Sequence, residues 1–295
     1  MRIFVVGLGS AGRRHVANAR ALGHEVEGGR LGDALAFSPE ALVVASPTAA
    51  HLEALRWAVD NGAHAYVEKP LSASSSDVAE VLAAAEAAGL TVAIGYNLRF
   101  HPALEAIRAA VDEGRIGRLL SVRAEVGHYL PDWHPEQDYR RSYAARAELG
   151  GGALLTLSHE LDYVRWIAGE VAQVQGVTAR VSSLELDVDD VAELVCRHTA
   201  GAVASIHMDF VDRSYGRRSR WVGERETIAW DWGGPVRSLP SGETLWEDAA
   251  FDLGSTYVAA LRDFVDAVEA GRQPRCGGRD GLRTLELCEA VREEP

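Results

Sequence analysis

Ile3-Phe4-Val5-Val6-Gly7-Leu8-Gly9-Ser10-Ala11-Gly12 decides how the first part of this chain folds. The four residues before the glycines are apolar, partly β-branched and uninterrupted by polar side chains. That is the pattern of a parallel strand buried on both faces. The glycines follow in the order Gly-x-Gly-x-x-Gly. A helix is predicted over residues 11–22, closed by Gly23, and a second strand starts at His24-Glu25-Val26. Strand, glycine turn, helix and strand fall within about thirty residues, the setting that a dinucleotide-binding turn requires. Gly7 allows the tight turn. Gly9 lets a pyrophosphate approach the backbone of Gly9, Ser10 and Ala11, and Gly12 lets helix and strand pack closely. The free N–H groups at the helix start face the phosphates.

Working outward, the second strand ends in Glu27-Gly28-Gly29-Arg30-Leu31-Gly32-Asp33. Glu27 or Asp33 could hold a ribose diol, whereas Arg30 could meet a 2′-phosphate or stack on adenine, so NAD and NADP both stay open. Further strands are predicted at 41–45, 63–67 and 91–95, alternating with helices at 51–60, 77–88 and 102–113. Alternation of this kind gives a doubly wound parallel sheet. Ligands of such sheets bind beyond the carboxyl ends of the strands. The segments there are Ser46-Pro47-Thr48, Glu68-Lys69-Pro70-Leu71 and Tyr96-Asn97-Leu98-Arg99-Phe100. His51, just past the first of these, either reaches the cofactor site or serves as a helix-capping or surface residue.

Lys69 stands out by composition. It is the only lysine among thirty basic residues. Arginine keeps its proton in proteins, whereas lysine can shift its pKa and take part in proton transfer. One lysine in a chain that otherwise uses arginine, placed at a strand's carboxyl end, is a candidate for chemistry.

Beyond Gly117 the pattern changes. Residues 119–129 alternate polar and apolar, as a strand with one buried face does. A polar and aromatic loop follows, with Trp133, His134, Tyr139 and Arg140. Gly150-Gly151-Gly152 leads into an apolar helix predicted over 153–168, carrying Thr156, His159 and Asp162. Strands are expected at 171–182, 190–198, 202–210, 220–223 and 227–231, and helices at 255–270 and 280–293. The expected fold is α/β: residues 1–117 form a dinucleotide-binding domain, and residues 118–295 an α+β domain with a mostly antiparallel open sheet for substrate binding and oligomerisation.

The formal net charge of −13 argues against nucleic acid and anionic membrane surfaces as partners. Three scattered cysteines lack metal-ligand spacing, so no metal or disulfide framework is expected and a reducing cytoplasm fits. The N-terminal residues enter a strand directly, without the pattern of a secretory leader.

Together these segments resemble the Gfo/Idh/MocA oxidoreductases (glucose-fructose oxidoreductase, inositol dehydrogenase and relatives) along essentially the whole chain. The resemblance rests on the glycine turn, Ser46-Pro47-Thr48 with His51, Glu68-Lys69-Pro70-Leu71, Gly95-Tyr96 with Arg99-Phe100, and the triple glycine leading to His159 and Asp162. It implies a bound NAD or NADP and hydride exchange with a hydroxyl or keto carbon of a sugar, sugar nucleotide or cyclitol. Lys69 matches the family's active-site lysine and His159 its acid/base histidine. The family commonly carries an aspartate three or four positions before that histidine, where this chain has Thr156 and Leu155. Without that carboxylate the histidine is less basic and less firmly oriented. An enzyme that uses bound NAD transiently (a lyase, hydrolase or epimerase) and a decayed binding protein are the alternatives.

Candidate cofactor contacts are Gly7, Gly9, Ser10, Ala11, Gly12, Arg30, Ser46, Pro47, Thr48, His51, Glu68 and Lys69. Candidate substrate contacts are Lys69, Asn97, Arg99, Trp133, His134, Tyr139, Arg140, Thr156 and His159. Polar groups beside an aromatic face suit a polyol. Arg213, Arg217, Arg218 and Arg220 read as a basic cluster, either for a diphosphate or as a solvated hairpin or subunit contact. A sheet with one covered face leaves the other for a homodimer or homotetramer contact.

Overall fold

The computed structural model describes residues 1–292. Its first part runs β1 (Arg2–Val6), α1 (Ser10–Ala21), β2 (Glu25–Gly29), α2 (Ala34–Phe37), β3 (Ala41–Val44), α3 (His51–Asp60), β4 (His64–Val67), α4 (Val78–Ala87) and β5 (Val92–Ile94). All five strands are parallel, in the order β2-β1-β3-β4-β5. The continuous apolar runs have their physical reason in two covered faces. Phe4, Val6, Leu42 and Val44 join one core with Leu55 of α3 and Val81 and Leu82 of α4. On the alternate face Tyr66 of β4 packs edge-on against His15 of α1 and against Phe264, which lies in α8 below. This is the expected doubly wound parallel sheet.

The remaining elements are α5 (Pro102–Asp112), β6 (Leu119–Gly127), α6 (Ala153–Thr156), α7 (His159–Ala168), β7 (Val171–Ala179), β8 (Val191–His198), β9 (Val203–Asp209), β10 (Gly216–Gly223), β11 (Thr227–Asp231), β12 (Val236–Leu239), β13 (Thr244–Trp246), α8 (Gly254–Ala270) and α9 (Gly278–Arg292). Eight strands form one sheet in the order β13-β12-β11-β10-β6-β9-β8-β7, antiparallel except where β6 meets β9. Here period-two alternation sets the layers. Val122, Ala124, Leu194, Ile206, Met208 and Trp221 are buried, on the side where α7 packs against β6 and β9. Residues between them, such as Glu193, Arg197, Ser205 and Arg218, are exposed on the other side.

Several sequence expectations change. The predicted helix 153–168 is two helices, α6 and α7, interrupted at Leu157-Ser158. The strand expected at 220–223 starts four residues earlier, at Gly216, because Gly216 to Arg220 pair with β6. β12 and β13 were not expected; both are short and close to polar turns. Glu293, the last residue of the expected final helix, lies outside the described residues. One compact unit comprises Met1–Asn97, Glu148–Gly150 and Leu253–Glu286, and the other Leu98–Ala147, Gly151–Asp252 and, among the described residues, 287–292. The first unit includes α8 because that helix returns late in the sequence to contact α1 and β4. Such a return is not readable from local periodicity.

Candidate active site

The glycine turn is shaped as its spacing implies. Gly7 has φ 88°, and a Cβ there would lie 2.8 Å from the Ala45 carbonyl oxygen. A Cβ on Gly12 would lie 1.8 Å from the Gly7 carbonyl oxygen, so helix and strand can meet only at a glycine. Gly9 differs: a Cβ there would meet nothing within 4 Å, which leaves open space in front of the helix start. A cavity of about 680 Å³ is lined by the first residues of the turn, Gly7 and Leu8, and by Arg30, Asp33, Ser46 and Glu53 among others. Glu27 is not among its lining residues. Asp33 accepts the Arg30 backbone N–H at 2.9 Å. Buried Ser46 Oγ has no hydrogen-bond partner among the described residues. Open backbone, an available hydroxyl and a neighbouring carboxylate and guanidinium fit a dinucleotide.

The carboxyl ends of β1, β3, β4 and β5 place Gly7, Ser46, Lys69 and Tyr96 along one edge, as parallel strands must. Lys69 is half-buried there, and its backbone N–H donates to Glu68 Oε2 at 3.3 Å. The Glu68 carboxylate meets His15 Nε2 at 2.6 Å. Burial pushes the Glu68 carboxyl up. The hydrogen bond and charge of His15, together with the nearby Lys69 and His51, overcome this and hold it below its ordinary value. A Cβ on Gly95 would come within 3.1 Å of Glu68 Oε2, so this glycine makes room for the carboxylate. His15 was not foreseen; its only signal was a histidine three residues after the last glycine of the turn.

His51 is 1% exposed, not a surface residue. Its Nδ1 lies 2.8 Å from the Pro70 carbonyl and its Nε2 2.9 Å from the Ser46 carbonyl. Burial lowers its pKa against the pull of those two carbonyls. Both ring nitrogens thus face backbone carbonyls, the one that carries the proton donating, and His51 sits between the Ser46 turn and the Glu-Lys-Pro turn rather than reaching outward.

In the other unit, α6 is held at its start by Asp189, whose carbonyl and carboxylate accept the N–H groups of Ala153 and Leu154 at 2.9 and 2.8 Å. Gly152, at φ 107°, leaves room for that carboxylate: a Cβ there would lie 2.4 Å from Asp189 Oδ1. Thr156 is buried at the end of α6, and His159, partly exposed, opens α7. Two buried ion pairs fix α7. Glu160 accepts Arg217 Nε at 2.6 Å. Asp162 takes both Nε and Nη2 of Arg99, at 2.9 and 2.7 Å.

Other expected substrate contacts also have partners within the protein. Arg99 is 2% exposed and its guanidinium is held by Asp162. Asn97 is equally buried and donates to Thr256 Oγ1 at 2.6 Å. Tyr139 accepts the Glu185 backbone N–H, and exposed Arg140 pairs with Asp138 and Glu185. His134 is exposed beside Glu136. Trp133 is half-buried and donates to the His128 carbonyl at 3.2 Å. The arginines read as one basic cluster are divided by the strand's alternation. Arg217 faces α7, whereas Arg218 and Arg220 face the other side of the sheet, where Arg218 pairs with Glu125.

A five-strand parallel sheet with a glycine turn that leaves open space at its helix start defines a dinucleotide-binding fold. Comparison with known proteins makes the assignment specific. Residues 30–96 match the model described as "Oxidoreductase family, NAD-binding Rossmann fold", and residues 104–229 match the "GFO/IDH/MocA C-terminal domain". The chain belongs to the Gfo/Idh/MocA family. It is 27% identical over 259 residues to 1,5-anhydro-D-fructose reductase of Ensifer adhaerens, covering 83% of this chain and 74% of that one. Levoglucosan dehydrogenase in complex with NADH superposes with TM-score 0.85 at 20% identity, covering 99% of this chain and 96% of that one. The WlbA dehydrogenase of Bordetella pertussis, in complex with NADH and UDP-GlcNAcA, does so with TM-score 0.83 at 21% identity, covering 99% and 95%. At these identities the structural likenesses speak for the fold.

Proposed function

We propose that this enzyme moves a hydride between a nicotinamide and a hydroxyl or keto carbon of a sugar, sugar nucleotide or cyclitol, with Lys69 and His159 handling the hydroxyl proton. One observation carries the reading: the only lysine of the chain stands on the same sheet edge as the glycine turn, beside the partly buried His15–Glu68 pair. A bound nicotinamide supplies or accepts the hydride. The protein must then manage a proton and the charge on oxygen. The Lys69 ammonium hydrogen-bonds the reacting oxygen and stabilises charge there, and His159 accepts or returns the proton. Thr156 stands in for the family's carboxylate with a hydroxyl. The sugar reductase named above, as a sequence relative, supports a polyol substrate.

The test is a panel of sugars, cyclitols and sugar nucleotides, followed by absorbance in the reduced-nicotinamide band and by mass spectrometry of products. Stoichiometric nicotinamide reduction with formation of a ketone or lactone is expected. Substrate conversion with no net change in nicotinamide would replace the reading with transient cofactor use.

The open side of the eight-strand sheet supports a homodimer or homotetramer. Val177, Val195 and Val203 are 65%, 53% and 43% exposed on neighbouring strands there, among charged residues that can pair with a second copy. The three cysteines are free and buried, which suits a reducing compartment such as the cytoplasm. Among the described residues no helix is long and apolar enough to cross a membrane.

A further inference from the structure

Where β6 and β9 end and β10 begins, the second unit gathers an aromatic shelf. His128 stacks with Trp133 at 5.2 Å and with Tyr215 at 4.7 Å between ring centres. Tyr215 meets Trp232 edge-on at 6.4 Å. Tyr215 is 39% exposed, and its φ of 42° places a bulky residue in the left-handed region. That conformation is costly for any residue with a large side chain, and such strain persists where the ring's position matters. Glycine would adopt it freely.

The shelf is tied to the catalytic helix inside the same unit. Arg217 lies 5.1 Å from the Trp232 ring centre and donates to Glu160, the residue after His159. The charges around it are not those of a diphosphate site. Arg217 is committed to Glu160, and Arg218 and Arg220 face away across the sheet. Arg213 lies over the Tyr129 ring at 3.9 Å and donates to its hydroxyl. Asp132 ends the short turn Leu130–Asp132 beside the shelf, and its charge acts on His128. Aromatic faces with a carboxylate acceptor suit the C–H face and hydroxyls of an uncharged sugar ring, and a carboxylate repels phosphate.

We infer that Tyr215, backed by Trp232 and His128, is the stacking wall for the ring of a neutral, unphosphorylated sugar or cyclitol, and that it selects such rings over phosphosugars and sugar nucleotides. This rests on the reading of the site proposed above and names its substrate class.

The experiment uses the full chain loaded with NADH and reads binding rather than turnover. Tryptophan fluorescence is titrated with D-glucose, D-xylose and myo-inositol, and with glucose 6-phosphate and UDP-glucose, in the parent, Tyr215→Phe, Tyr215→Ala and Tyr215→Gly. At least one neutral probe is expected to bind tighter than both phosphorylated ones. Tyr215→Phe should keep its Kd within about twofold, and Tyr215→Ala should raise it about tenfold. NADH affinity should not change. Tyr215→Gly should lose the sugar equally while melting no more than about 2 °C below the parent, because the strain goes with the side chain. Saturable binding by no neutral probe, tighter binding of the phosphorylated ones, or an unchanged Kd in Tyr215→Ala would overturn the inference. So would a large drop in melting temperature for Tyr215→Gly, which would make the ring a packing element. If binding depends on Tyr215 but no probe is oxidised or reduced, the stacking wall stands and the proposed reaction falls.

Discussion

Gly9 and Gly12 belong to one motif but should fail in opposite ways when given a side chain. At Gly12 a Cβ would stand 1.8 Å from the Gly7 carbonyl oxygen. Ordinary contact needs well over 3 Å, so α1 or the turn must shift by more than about 1 Å. Overpacking of this kind costs roughly 3 kcal/mol, or about 6–12 °C in melting temperature for a domain of this size. At Gly9 the backbone has φ −66° and ψ −167°, which any residue adopts, and no protein atom lies within 4 Å of the added carbon. Gly9→Ala should therefore change stability by less than about 0.5 kcal/mol, the small entropic gain and the poorer helix start nearly cancelling. The added methyl instead occupies the phosphate's space. Losing a single charge-assisted hydrogen bond from backbone N–H to phosphate costs about 2 kcal/mol, or about 30-fold in Kd, and Gly9→Val should cost more. The assay is a fluorescence titration with NADH and NADPH beside a thermal melt of the unliganded protein. Gly9→Val binding both dinucleotides as the parent does would refute the phosphate assignment. Equal destabilisation by Gly9→Ala and Gly12→Ala would refute the division of roles.

Lys69→Arg and Lys69→Ala should both keep dinucleotide binding and lose turnover by about a hundredfold or more, since arginine is too large and cannot give up its proton. His159→Ala should do likewise, and the double variant should cost less than the sum because both act on one proton path; full activity in Lys69→Arg would remove the lysine's role. His207 lies between Asp209 and Glu193, and the hydrogen bond to Asp209, reinforced by Glu193 against partial burial, raises it from 6.5 to about 9. A folded pKa above the unfolded one gives stability that is complete below pH 6.5 and lost as pH rises through about 9. The site is partly solvated, so the effect should stay below about 1 kcal/mol, and His207→Gln should flatten the parent's decline in melting temperature over that range. Light scattering should find a dimer or tetramer at micromolar concentration, and Val195→Glu with Val203→Glu should dissociate it; a monomeric parent would end the oligomer proposal.

What the sequence determined by itself was local and periodic. Four apolar residues before Gly7 announced a buried strand, and the spacing of Gly7, Gly9 and Gly12 announced the turn. Alternation placed the second sheet, and bare composition picked out Lys69. Each signal lies within a few residues, where backbone sterics and side-chain period act directly. The partners of the charged residues were decided only by the tertiary structure. Asp162 and Arg99 are 63 residues apart, Glu160 and Arg217 57, and His15 and Glu68 53. No local pattern distinguishes an arginine buried against a carboxylate from one left for a substrate. The same holds for the row from Arg213 to Arg220. It reads as a single basic cluster until pairing with β6 extends β10 back to Gly216. Alternation along that strand then sends Arg217 to one face and Arg218 to the other. A strand's start depends on its neighbour's edge, and burial depends on what covers it, so both wait for the whole chain to fold.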